Sequence, residues 1–109
     1  MESAVAVTLQ WADAHLSSAH RNAAGKLHGH TWRVRAFWPH DGTDVLERQR
    51  LLRKWASALD HRELPAHLTL SEDLAGHLGA AVKACRVEVW REAEGLGAVW
   101  IAQTKEIEI

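Results

Sequence analysis

Tyrosine is absent from this 109-residue chain, cysteine occurs once and proline twice. The single thiol, Cys85, excludes an intramolecular disulfide and a zinc site built on thiolates. No apolar run is longer than a few residues, which excludes a bilayer-spanning helix. The N-terminal stretch lacks the basic-then-apolar order of a secretory leader, so a cytoplasmic protein is expected. An excess of one charge is missing too. The 13 basic and 14 acidic residues leave a formal charge of −1, which argues against an electrostatic nucleic-acid partner. With no linker, repeat or low-complexity tract, the length predicts one domain spanning residues 1–109.

Two residue types are abundant instead. Hydrophobic residues at 47% and charged ones at 25% describe an ordinary folded domain, but it carries eight histidines and six tryptophans. Histidine is seldom needed for packing, so eight direct attention to metal or proton chemistry. A domain this small cannot bury six indoles completely, so some are expected to face a partner subunit.

Hydrophobic periodicity orders the chain. From Ala4 to about Trp11, residues Val5, Val7, Leu9 and Trp11 share one side, the pattern of a half-buried strand. A polar segment follows around Ser17, Ser18, Arg21, Asn22 and Gly25. His28, His30, Trp32, Val34, Ala36 and Trp38 then occupy one face of a second predicted strand. From Asp44 to Leu59 the period becomes helical, with Leu51, Leu52, Trp55 and Leu59 as the apolar stripe. Ser71 reads as the N-cap of a second helix whose stripe is Leu74, Leu78, Ala81 and Val82. Segments of about Cys85–Arg91 and Ala98–Lys105, broken at Gly95–Leu96–Gly97, form a predicted hairpin. The order strand, strand, helix, helix, strand, strand predicts an α+β domain: a four-stranded antiparallel sheet with two helices on one face.

The chemistry concentrates in two places. His28 and His30, two apart on a strand, project from the same face and can reach one ion. His20 is the natural third ligand, with His15 as its competitor. Three imidazoles and no thiolate or carboxylate favour zinc over magnesium or calcium, and leave a fourth position open. Exposed histidines on a surface strand would give the same spacing. The second place is Asp60–His61, where the carboxylate can orient the imidazole as a proton relay. A histidine closing a helix at its negative end is the plainer alternative.

Together these pieces resemble the 6-pyruvoyl-tetrahydropterin synthase and 6-carboxy-tetrahydropterin synthase family, from about Trp11 to Trp100. The resemblance is carried by Ser18–Ala19–His20–Arg21, Leu27–His28–Gly29–His30–Thr31, Leu59–Asp60–His61, Thr69–Leu70–Ser71–Glu72 and Val87–Glu88–Val89–Trp90. It implies a T-fold that assembles through its sheet edges into a homo-oligomer, trimer or hexamer. It also implies Zn2+ held by His20, His28 and His30, Asp60 and His61 as the proton relay, and a lyase-type reaction on a small-molecule substrate. Two positions depart from the family pattern. Its catalytic cysteine, four residues before the His-Gly-His, is Ala24 here. Its pterin-anchoring glutamate falls on Arg91, or on Glu92 if a one-residue bulge intervenes. An arginine suits a carboxylate rather than the guanidine-like edge of a pterin. The expectation is a zinc enzyme with an altered substrate, a dehydratase, isomerase or cyclase step being open to it. The alternative is a catalytically inactive T-fold subunit that binds a ligand or serves structurally.

Overall fold

The computed structural model describes residues 6–103. In chain order it contains β1 (Leu9–Arg21), β2 (Leu27–Pro39), α1 (Val45–Ser57), a 3-10 turn (Ala66–Leu68), α2 (Ser71–Val82), β3 (Arg86–Arg91) and β4 (Leu96–Ile101). The strands form one antiparallel sheet in the order β1-β2-β3-β4. The α+β expectation holds in both composition and order.

The core lies between one sheet face and the two helices. β1 contributes Ala12, Ala14 and Leu16, β2 contributes Trp32, Val34, Ala36 and Trp38, and β3 contributes Val87 and Val89. Leu52 and Ala56 of α1 and Leu74, Leu78 and Val82 of α2 close over them. The two buried indoles are anchored at their polar ends: Trp38 Nε1 donates to the Val82 carbonyl at 3.0 Å and Trp32 Nε1 to Ser71 Oγ at 3.3 Å.

Several local expectations need correction. β1 begins at Leu9 and runs through the supposed polar segment to Arg21; Ala4 and Val5 lie outside the described residues. Its buried phase is the even one, so Leu9 and Trp11 stand exposed on the helix-free face. There Trp11 stacks on the Arg35 guanidinium, 4.0 Å from the ring centroid, in place of core packing. In α1 the buried side is Leu52 and Ala56, while Leu51 and Trp55 are exposed. Asp44 caps this helix by accepting from the Leu46 amide at 2.9 Å. Ser71 is the first residue of α2 rather than its cap, because its hydroxyl turns inward to Trp32. β4 begins at Leu96 and ends at Ile101, short of the expected Lys105, which lies outside the described residues.

The strands differ in length, and that difference creates the site. β1 and β2 pair over 13 residues each, but β3 pairs only with Arg33–Phe37 of β2. The stretch Ser17–Arg21 with Leu27–Thr31 therefore projects past β3 as a two-stranded ribbon.

Candidate metal centre

The ribbon carries the three histidines. Cross-strand register sets His20 opposite His28 and Ser18 opposite His30, so all three imidazoles share the helix-side face of β1 and β2. Ring centroids are 4.4 Å apart for His20–His28, 4.6 Å for His28–His30 and 5.0 Å for His20–His30. One nitrogen from each ring lies within 4.8 Å of those of the other two. His15, the competitor for the third position, pairs with Arg33 below the ribbon, and its odd phase places it on the opposite face.

The surroundings of His20 and His30 disfavour their protonated forms. Burial, followed by the neighbouring His28, lowers the proton affinity of His20 below its ordinary 6.5. Burial likewise lowers that of His30, with Arg91 and the other two imidazoles adding to the effect. A neutral imidazole offers a lone pair to a metal, whereas a protonated one cannot. Both nitrogens of His20 are buried and, among the described residues, have no hydrogen-bond partner. Such atoms are rare in folded proteins because leaving them unpaired costs about 1–3 kcal/mol. Three converging imidazole nitrogens, one ring of them orphaned, fit a zinc ion with an open fourth position.

Beside the ribbon lies a segment whose pairing is not visible in local sequence. α1 ends at Ser57, so His61 sits beyond that helix terminus. The chain from Leu59 to Leu64 instead runs along the free edge of β1. The His61 amide donates to the Ser17 carbonyl at 2.7 Å, the Ala19 amide to Arg62 at 2.8 Å, and the Leu64 amide to Ala19 at 2.7 Å. Ser18 Oγ donates to the Leu59 carbonyl. These bonds hold His61 at a φ of 55°, in the left-handed region that a residue with a Cβ seldom adopts.

Asp60 is fixed from two sides. Its Oδ1 accepts the Ser17 amide at 2.7 Å and its Oδ2 lies 2.8 Å from His61 Nδ1. The Ser17 amide first, and the His61 ring after it, hold the Asp60 carboxyl below its ordinary range. The His61 ring is itself exposed and shares with His30 the wall of an open cleft of about 530 Å³. Thus His61 and one member of the histidine cluster line a common space.

At the other flank, β3 keeps an unbroken register with both neighbours, with no bulge before Arg91. Arg91 follows Val87 and Val89 on the helix-side face and reaches His30, its Nη1 3.0 Å from Nε2 and 3.2 Å from Nδ1. Glu92 lies past the strand end and pairs with Arg33 at 3.3 Å. Ala24 sits in the exposed Asn22–Gly25 turn, held there by its amide donating to Asn22 Oδ1 at 3.0 Å. Glu94 is an addition that charge counting did not reveal. Its carboxylate lies 3.4 Å from His30 Nδ1, brought back by the turn between β3 and β4.

No family model matches the sequence, and no curated protein does. Solved structures do match, among them the 6-pyruvoyl tetrahydropterin synthase of Caenorhabditis elegans. Its TM-score is 0.66 at 14% identity, covering 90% of this chain and 97% of the other. The chain has the T-fold. At that identity the likeness speaks for the fold alone. Among the described residues, no helix is long and apolar enough to cross a membrane.

Proposed function

We propose that this T-fold chain is a zinc-dependent enzyme of lyase type, acting on a small oxygenated substrate other than the standard pterin. The observation that carries this reading is the cluster of His20, His28 and His30, with both His20 nitrogens buried and unpartnered. These three residues would hold the ion, which when bound would polarise a substrate oxygen.

The remaining roles fall to the chain's own groups. Asp60 accepts a hydrogen bond from His61 Nδ1–H, which leaves the Nε2 lone pair as a proton acceptor facing solvent in the cleft. Asp60 also stabilises the imidazolium once His61 has taken a proton, and the Ser17 amide keeps the carboxylate in register. Ala24 has no ionisable group, so proton transfer rests on this pair. Arg91 and Glu92 are the substrate-binding candidates, and the bonded register of β3 favours Arg91, which is the one beside His30. We extend the proposal to a cytoplasmic homo-oligomer, trimer or hexamer, formed through the β4 edge and the uncovered part of β1. The exposed Trp11, Val99 and Ile101 support a subunit partner.

A second reading, a catalytically inactive T-fold subunit that binds a ligand or serves structurally, draws on Ala24 alone. Zinc content separates the two site readings from a metal-free scaffold. Protein purified without added metal should hold about one zinc per chain, lost in His28→Ala. A metal-free wild type overturns the zinc enzyme. Dihydroneopterin triphosphate should be a poor substrate for the wild type, and efficient turnover would refute the altered substrate. If Ala24→Cys creates that turnover, the pocket still admits pterins.

A further inference from the structure

The guanidinium of Arg91 occupies a position that satisfies it poorly. Its Nη1 approaches both nitrogens of His30, at 3.0 and 3.2 Å, while its Nε is buried with no hydrogen-bond partner among the described residues. Glu94 stays 3.7 Å from that Nε, outside hydrogen-bond reach. Arg35, on the opposite face of β2, shows what a settled arginine looks like here. It makes two parallel bonds to Asp13 at 2.6 and 2.9 Å and stacks on Trp11.

A neutral imidazole has one acceptor nitrogen. The N–H that Arg91 donates to His30 takes the lone pair that a metal ion would need. A guanidinium charge at this distance from a ligand nitrogen also repels a divalent cation strongly. We propose that Arg91 and a divalent metal compete for His30. Metal binding then expels the guanidinium from the imidazole and frees it for a carboxylate or other small anion of the substrate. The inference rests on the metal-centre reading above and names the substrate class for it. Glu94, close to both His30 and Arg91, holds the arginine at the ring while no metal is bound. Because the anion keeps Arg91 away from His30, metal and anion each strengthen the binding of the other by the same factor.

The test is zinc affinity of the full chain, measured by competition with a chromogenic chelator, for wild type, Arg91→Met, Arg91→Gln and Arg91→Lys. Removing the charge in Met or Gln should tighten zinc binding at least about tenfold, whereas Lys should stay near the wild type. Saturating acetate should tighten zinc binding in the wild type by a larger factor than in Arg91→Gln. Should Arg91→Met fail to fold, the Gln and Lys pair decides. Equal zinc affinity across the variants overturns the competition while leaving the metal centre intact. An equal acetate effect in wild type and Arg91→Gln overturns the anion role. Zinc bound by none of the four proteins overturns the metal centre and the inference together.

Discussion

The two halves of β2 lie on one strand and one face, yet they obey different rules. From Trp32 to Trp38 every second side chain is buried, and both buried indoles have a hydrogen-bond partner. From His28 to His30 the strand leaves β3 behind, and conflict accumulates around it. Among the described residues, the buried side-chain polar atoms with no hydrogen bond are His20 Nδ1, His20 Nε2 and Arg91 Nε, all at this end. Satisfied packing and unmet demand are thus divided between the two ends of one sheet face. Local frustration of this kind marks functional sites, because a group optimised for a ligand is not optimised for the empty fold.

Substitutions at either end can break that contrast. The largest effect belongs to the satisfied half. Trp32→Ala should cost about 3–5 kcal/mol in denaturant unfolding, since the ring is buried and hydrogen-bonded to Ser71. A loss below about 1 kcal/mol would show that the core half does not depend on its packing. The histidine cluster at the other end, His20 of β1 included, should respond with the opposite sign. In metal-free protein, His20→Leu should raise stability by about 1–3 kcal/mol by removing two orphaned nitrogens, while abolishing zinc binding. The check is thermal unfolding in the presence of a chelator. If the leucine variant melts lower than the wild type, the histidine end is not frustrated and the contrast disappears.

This division also explains which parts of the structure are legible in the sequence. β2 reads correctly because large apolar residues occupy its buried phase and arginines the other. β1 misleads because its first buried residues are small, Ala12 and Ala14, while its bulkiest side chain, Trp11, lies outside on Arg35. Hydrophobicity follows side-chain size there, and burial does not. The last third of β1 looks like a loop because it is polar, and it is polar because it builds the ribbon and binds the Leu59–Leu64 segment. The His28–His30 pair is legible from strand periodicity alone. The approach of His20 needs the hairpin register, and the edge pairing that fixes His61 is a long-range contact with no local signature. Glu94 is concealed for a similar reason: only the turn geometry after β3 brings its carboxylate to His30.

The smallest expected effect tests whether that long-range clamp couples the relay to the fold. Asp60 ties the two together, accepting from Ser17 on one oxygen and pairing with His61 on the other. Its folded-state proton affinity is lowered from 3.8, chiefly by the Ser17 amide. A carboxylate lowered in this way contributes its full stabilisation above 3.8, and loses it as pH falls below that value through the folded-state pKa. Asp60→Asn has no such proton to take up. Near neutral pH the variant should be less stable by up to about 1 kcal/mol. The wild-type melting temperature should then drop more steeply in acid, so that the two curves converge. A gap that stays constant across that range would mean that the Asp60 contacts do not stabilise the ionised form. The clamp would then be a matter of backbone pairing alone, with the relay resting on it but adding nothing to it.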